Sequence, residues 1–125
     1  MERCYNLQTC AQNSDLERDI ALCEKAGFKL VEIDFAKARA YLKDHTLEDL
    51  TALLKKHHMG CASINAIFAI NFCSEDEWAR VCADLDLACD LCAASGADRV
   101  IALSNERVDL PQGVTRQQVF DDTVS

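Results

Sequence analysis

Polar side chains interrupt several apolar segments of this 125-residue chain. Glu32 lies in the middle of LVEIDF, Asn65 in ASINAI and Asn6 in CYNLQT. A carboxylate among apolar residues is costly to bury unless it is paired or reached by water or ligand. Glu32 could therefore bind substrate hydroxyls, and the amides of Asn65 and Asn6 could hydrogen-bond the same kind of group. The alternative for all three is a structural hydrogen bond or ion pair within the protein.

Five further side chains are weaker candidates for a binding site. Asp34 and Ser104 follow predicted strands and could equally be turn residues. Phe68 and Phe72 lie in an apolar segment just after the third predicted strand, where they could form the wall of a pocket. Trp78 has the spacing of a helical stripe, which favours core packing over a pocket.

The histidines and the one Cys-x-x-Cys pair do not predict a metal or redox site. His57 and His58 end a predicted helix, where a cationic side chain interacts favourably with the helix dipole. Capping is therefore favoured over ligation or catalysis, and His45 is expected in a loop. Cys89 and Cys92 lie inside a predicted helix, whereas redox pairs begin a helix and a zinc knuckle needs a second pair.

Four apolar segments alternate with four segments of helical spacing. Strands are predicted over residues 3–9, 29–35, 61–67 and 98–103. Each helix begins at Ser or Thr, followed three positions later by a side chain that can complete the cap. The pairs are Ser14 with Glu17, Thr46 with Asp49, Ser74 with Glu77, and Thr115 with Gln118. Glycine follows each of the first three helices, as is usual where the backbone turns left-handed, at Gly27, Gly60 and Gly96.

The third helix is expected to bury one face, and its cysteines are expected to be reduced. The predicted buried face consists of Trp78, Val81, Cys82, Leu85, Ala88, Cys89 and Cys92. A free cysteine packs as a small hydrophobic residue, so the eight cysteines of the chain favour a cytoplasmic protein with buried thiols.

Alternating strands and helices predict a parallel α/β sheet with a repeat of roughly 30 residues. Two architectures fit: a small open sheet, or four units, (βα)4, of an eight-stranded (β/α)8 barrel of about 250 residues. Strands of an open sheet covered on both faces are almost wholly apolar. Here Val31 and Ile33 alternate with Glu32 and Asp34, which favours a barrel with a polar interior. We therefore predict one partial domain over residues 1–125, the N-terminal half of a barrel whose natural chain continues past Ser125.

Charge and hydropathy exclude several classes of partner. The net charge is −8, which argues against nucleic acid and anionic membranes, since either needs a basic surface. The first residues lack the apolar run of a signal peptide, and no segment approaches the roughly 18 apolar residues of a membrane span.

Several segments resemble the sugar isomerase/epimerase barrels related to xylose isomerase. They are CYNLQT, LCEKAGFKLVEIDF, YLKDHTLEDL, HHMGCASINAIFAINF and SGADRVIAL. Within that group the likeness is to the inosose isomerases. The resemblance implies a metal-dependent enzyme, with zinc or manganese, that moves a proton between neighbouring carbons of a keto-sugar or inosose through an enediol.

The resemblance also implies which residues this chain lacks. The metal ligands of that family lie on later strands, so no catalytic or metal residue is assigned within residues 1–125. Glu32, Asn65, Asn6 and Phe68 remain as predicted substrate-binding residues, and the chain alone is expected to be inactive.

Two other functions stay open at this level. A stand-alone half-barrel has two exposed parallel edges and would self-associate as a homo-oligomer or bind a partner without catalysis. A small flavodoxin-like binding module is the third possibility, although the chain lacks the Gly-rich phosphate loop that such modules often use.

Overall fold

A computed structural model of the chain describes residues 3–68, 70–104 and 110–124. The strands within these ranges are β1 (Cys4–Asn6), β2 (Leu30–Asp34), β3 (Gly60–Ile67) and β4 (Val100–Ala102). The helices are α1 (Leu16–Lys25), α2 (Phe35–Tyr41), α3 (Leu47–Lys56), α4 (Glu75–Ser95) and α5 (Arg116–Val124). The strands form one parallel sheet in the order β1-β2-β3-β4, which confirms the predicted alternation.

Side-chain caps begin the later helices at the predicted residues. At α3 the Thr46 side chain accepts from the backbone of Asp49, whose carboxylate accepts from the Thr46 backbone in return. Ser74 and Glu77 form the same reciprocal pair at α4. Each cap satisfies backbone N–H groups that have no partner within the helix, so these short local signals predict where a helix begins.

The first helix begins one residue later than predicted. Asp15, not Ser14, is its cap, because the Asp15 carboxylate accepts from the backbone N–H of Arg18 at 2.8 Å. The Ser14 hydroxyl instead donates to the carbonyl of Ala11 at 2.6 Å and closes the preceding turn. Two adjacent capping residues compete here, and the charged one wins at the positive end of the helix.

The first strand is shorter than the predicted span of residues 3–9. It ends at Asn6, whose side chain accepts a hydrogen bond from the backbone N–H of Gln8 at 2.9 Å and begins a 3₁₀ turn over Leu7–Thr9. Leu7 is fully buried by that turn. The other three strands lie within a residue or two of their predicted spans, as is usual for element ends.

Helix α2 is absent from the predicted elements, and Phe35 begins it instead of ending a strand. The Asp34 carboxylate caps α2 by accepting from the backbone N–H of Lys37 at 3.0 Å. The residues that follow include three alanines, the strongest helix formers, so an acidic cap before FAKARAY was the available signal.

The core lies between one face of the sheet and the helices. Val31, Ile33 and Ile64 are fully buried on the strands, and Ile20 of α1 and Leu50 of α3 are fully buried against them. These strand residues alternate with Glu32 and other polar residues on the opposite face, as the sequence pattern predicts.

The buried face predicted for α4 is largely wrong. Ala88 and Leu91 are its fully buried residues, while Trp78 and Leu85 remain 51% and 45% exposed. Two of the predicted core cysteines, Cys82 and Cys89, are exposed as well. The exposed residues form one stripe along the helix, and the side that packs against α3 and β3 is a different one. Apolar spacing predicted the helix, but it did not predict which stripe faces the sheet.

In the part of the chain that the structure describes, we find no helix with the length and apolar character needed to cross a membrane.

Candidate functional site at the carboxyl ends of the strands

Glu32 and Asn65 meet on the polar face of the sheet. The Asn65 side-chain amide donates to Glu32 Oε2 at 3.2 Å, from β3 to the neighbouring β2. Asn65 is 7% exposed and Glu32 is half-buried. The structure therefore brings together the two strongest candidates from the sequence, and the carboxylate keeps access to solvent.

An irregularity in the β2–β3 ladder aligns the polar residues. Val31 pairs with Cys61, but Glu32 pairs with Ser63, so β3 contains one extra residue at this point. Ser63 consequently lies beside Glu32 on the polar face. Its hydroxyl is buried and has no hydrogen-bond partner among the described residues. Sequence reasoning passed over Ser63, because a serine in a strand has no pattern that distinguishes it.

Asn6 lies next to Glu32 on the other side, as its partner in the β1–β2 register. Its side-chain oxygen caps the 3₁₀ turn, which leaves the amide nitrogen to reach a ligand. The substrate-binding role of Asn6 stays a prediction, but part of its hydrogen-bonding capacity is structural.

Phe68 follows β3 at the mouth of this face and is 55% exposed. It lines a groove of about 310 Å³, here called the mouth groove, together with Gln8, Asp34, Arg39 and Asp84. The groove lies where β1, β2 and β3 end, which is the edge at which parallel α/β folds bind ligands. Gln8 and Arg39 had no place among the sequence candidates, because neither lies in a regular polar pattern.

The weaker candidates lie elsewhere or have structural roles. Asp34 caps α2, and Ser104 is exposed beyond β4. The backbone N–H of Phe72 donates to the Asp122 carboxylate at 2.8 Å, so Phe72 belongs to a contact with α5. Trp78 is exposed on α4 and lines none of these features.

Comparison with known proteins identifies the fold family. A family model described as a xylose isomerase-like TIM barrel matches residues 20–124. The chain belongs to that family. This confirms the resemblance to sugar isomerase/epimerase barrels and the prediction of a partial (β/α)8 barrel.

Curated relatives named inosose isomerase are between 31% and 39% identical to the chain over the aligned residues. The inosose isomerase of Bacillus velezensis is 33% identical over 104 residues, which is 82% of this chain and 37% of that protein. The inosose isomerase of Halalkalibacterium halodurans is 39% identical over 72 residues, 57% of this chain and 26% of that protein. The chain thus spans well under half the length of these relatives.

Solved structures agree with the family assignment. The crystal structure of the IolI protein with a bound zinc atom superimposes with a TM-score of 0.83 at 29% identity, covering 99% of this chain and 44% of that one. An AP endonuclease of family 2 from Brucella melitensis has the same fold, with a TM-score of 0.69 at 19% identity. That second likeness concerns the fold alone.

The described residues of this family member do not fit a metal ion. Zinc sites combine three or four His, Cys, Asp or Glu ligands. Within residues 3–68, 70–104 and 110–124, no such group of three converges. His57 Nδ1 lies 2.8 Å and His58 Nδ1 3.4 Å from the carboxylate of Glu24, while His45 stacks on the ring of Tyr41.

The histidine pair serves a structural purpose near the opposite ends of the strands. His57 caps the carboxyl end of α3 and contacts Glu24 of α1. Hydrogen bonding to His57, and then to His58, lowers the pKa of the Glu24 carboxyl. His57 thus occupies the predicted cap position at the end of α3, while its ring pairs with Glu24, a contact that the sequence did not predict.

The thiols of Cys23 and Cys61 are buried, whereas Cys4, Cys82 and Cys89 are exposed, so the prediction of buried thiols is wrong for these three. Burial raises the pKa of Cys23 to about 11 and also raises that of Cys61. Cys92 is half-buried with a raised pKa, caused first by burial, and Cys89 is exposed one turn earlier. A thiol with a raised pKa is a poor nucleophile, so Cys23, Cys61 and Cys92 are poor candidates for a catalytic or redox role.

Proposed function

We propose that this chain forms part of the substrate-binding wall of a sugar isomerase that acts on a keto-sugar or inosose by enediol proton transfer. The observation that carries the proposal is the Glu32–Asn65 pair on the polar face of the sheet, beside the Ser63 hydroxyl, which has no hydrogen-bond partner among the residues that the structure describes. Carboxylate, amide and hydroxyl groups together offer the mixed donors and acceptors that a polyhydroxy ketone requires.

In this proposal each side chain binds or orients the substrate. Glu32 accepts hydrogen bonds from hydroxyl groups, and the amide oxygen of Asn65 adds a second acceptor. Ser63 supplies a hydroxyl that can donate to a substrate oxygen. Phe68 offers an exposed aromatic surface at the mouth for the apolar face of the ring. The divalent metal and the proton-transferring carboxylate proposed for the whole enzyme lie outside this chain, so residues 1–125 alone are proposed to be inactive.

The proposal is tested in a hybrid enzyme. This chain replaces the matching segment of the Bacillus velezensis inosose isomerase, and isomerisation of inosose is measured. We expect activity in the hybrid and a loss of about tenfold to a hundredfold in kcat/KM for Glu32→Gln, because the charged acceptor at a buried substrate hydroxyl is replaced by a neutral one. Glu17→Gln, on the exposed side of α1, is the matched control. A folded hybrid whose Glu32→Gln variant is as active as the control contradicts the proposal.

A second candidate function is a self-associating half-barrel without catalysis. It is favoured by exposed large apolar side chains, among them Leu22 on α1 and Leu103 after β4, which are 51% and 40% exposed. The edge strands β1 and β4 have three residues each and lack a partner on their outer side in the described sheet. Sedimentation velocity over a range of concentrations tests this, and a monomer at every concentration excludes it.

We propose the cytoplasm as the compartment of the protein. The eight cysteines of the sequence, among them the buried free thiols of Cys23 and Cys61, support this proposal, because thiols remain reduced there and become disulfides in oxidising compartments. Fractionation of the source cells, with the oxidation state of the thiols measured in each fraction, tests it.

A further inference from the structure

The mouth groove contains an arginine whose charge is already balanced. Arg39 Nη1 donates to Asp84 Oδ1 at 2.8 Å, which joins α2 to α4. The guanidinium lies over the ring of Phe35, 5.3 Å from its centroid, and this contact fixes its plane. Both partners of the ion pair remain partly exposed at the groove.

The groove has an excess of negative charge. Arg39 is the one cation among the described residues that line it, and two aspartates, Asp84 and Asp34, line the same groove. Lys37, the nearest lysine along α2, points away and binds Asp19, Ser14 and the carbonyl of Ala11. A phosphate or carboxylate on a ligand would therefore meet two carboxylates and no unpaired cation among the described lining residues.

The same groups suit a neutral polyol. Arg39 has five N–H donors, of which one is used by Asp84, and the remaining Asp84 oxygen can accept. Gln8 adds an exposed amide with both a donor and an acceptor. Phe68 supplies an aromatic surface for the C–H face of a ring. Along β2, Asp34 lies two residues beyond Glu32, so the groove begins about 7 Å further along the strand.

We infer that the mouth groove is a specificity site that binds one edge of a neutral cyclic polyol or polyhydroxy ketone and rejects its phosphorylated counterpart. This inference rests on the proposed function. Asp84 is the discriminating residue, because it neutralises the one arginine that would otherwise bind an anion. Arg39 and Gln8 hold the hydroxyls at the edge of the ring that lies away from Glu32.

The test uses the ¹⁵N-labelled chain, titrated separately with myo-inositol and with myo-inositol 1-phosphate while amide shifts are recorded. We expect myo-inositol to shift the signals of Gln8, Arg39 and Phe68, and the phosphate to bind more weakly. Asp84→Asn releases Arg39, so the ratio of the two dissociation constants should change about tenfold in favour of the phosphate, since a charge-assisted hydrogen bond becomes available. Asp86→Asn makes the same charge change on an exposed residue of α4 and is the matched control.

Equal effects of Asp84→Asn and Asp86→Asn would overturn the inference, because net charge alone would then explain the change. Arg39→Met keeps an apolar side chain over Phe35 and should weaken binding of myo-inositol; unchanged binding also overturns the inference. Both variants should fold, since a half-exposed ion pair contributes at most about 1 kcal/mol, and thermal unfolding checks this.

Shifts at Glu32 and Asn65 without shifts in the groove reject the groove and leave the proposed function standing. Shifts in the groove together with an inactive hybrid enzyme support the groove and contradict the proposed function.

Discussion

Two carboxylates of this chain have opposite environments, and the contrast indicates what each one does. Asp19 of α1 is fully buried and forms an ion pair with Lys37 of α2, which also binds the Ser14 hydroxyl at 3.0 Å. Glu32 is half-buried, and its hydrogen bond within the described structure comes from the neutral amide of Asn65 at 3.2 Å. A buried charge needs a full counter-charge, whereas a carboxylate with one amide partner and access to solvent can still bind a ligand.

Replacing Lys37 with methionine should have the largest effect. Asp19 would stay buried without a counter-charge, which costs about 3–5 kcal/mol in the free energy of unfolding. Denaturant unfolding measures this loss, with Lys25→Met on the exposed side of α1 as the control. Adding Asp19→Asn to Lys37→Met should restore much of the stability, because the unpaired charge disappears. Similar losses of stability for the Lys37 and Lys25 variants would show that the Asp19–Lys37 ion pair does not stabilise the fold.

Asn65→Asp should have the next largest effect, because it puts a second carboxylate against Glu32. Repulsion raises the pKa of one of the two carboxyls in the folded state, so the folded protein binds more protons than the unfolded chain. The variant should be about 1–2 kcal/mol less stable than the wild type at pH 7 and should recover as the pH falls through the raised pKa. Urea unfolding of both proteins between neutral and mildly acidic pH measures this. A deficit that does not change with pH contradicts the assigned contact.

Glu32→Gln separates stability from binding. The glutamine retains an acceptor for the Asn65 amide, so the free energy of unfolding should change by less than about 1 kcal/mol. Binding of myo-inositol to the chain should nevertheless weaken by about tenfold, because a charged acceptor is replaced by a neutral one. Unfolding and titration of the same sample measure both quantities. A large loss of stability with unchanged binding would make Glu32 a structural residue like Asp19.

A third carboxylate extends the comparison to the surface and should show the smallest effect. His57 and His58 lower the pKa of Glu24 in the folded protein, so its contribution to stability is present above the unfolded pKa. That contribution is lost as the pH falls through the lowered folded pKa. The stability difference between wild type and Glu24→Gln should therefore be largest near neutral pH and should disappear under strongly acidic conditions. Glu17→Gln is the control variant. A stability difference that grows towards acid pH would contradict the lowered pKa of Glu24 in the folded protein.

Local patterns predicted much of the fold from the sequence. Thr46 with Asp49 and Ser74 with Glu77 begin their helices as predicted, because a cap satisfies backbone groups within four residues of chain. Gly27 and Gly96 have φ values of +82° and +76° after their helices, a conformation that favours glycine. The resemblance to the xylose isomerase-like family then supplied the barrel, which periodicity had left open against an open sheet.

The predicted ends of β1 and β2 were wrong because one polar side chain at each end could serve either of two local structures. Asn6 could extend a strand or cap a turn, and it caps the turn. Asp34 could end a strand or begin a helix, and it begins α2. In both cases a short polar side chain bonds to backbone N–H groups a few residues further along the chain. That outcome depends on whether the following residue can be buried, as Leu7 and Phe35 are.

Sequence by itself determined the alternation of strands and helices, the polar face that contains Glu32 and Asn65, and the main helix starts, because these follow from periodicity and from contacts within one turn of chain. Tertiary structure alone decided that Asn65 reaches Glu32, that Ser63 lies beside them, that Lys37 pairs with Asp19, and that Arg39 pairs with Asp84. Each of these contacts joins side chains on different elements. Their distances depend on the register of the strands and the packing of the helices, which no short segment specifies.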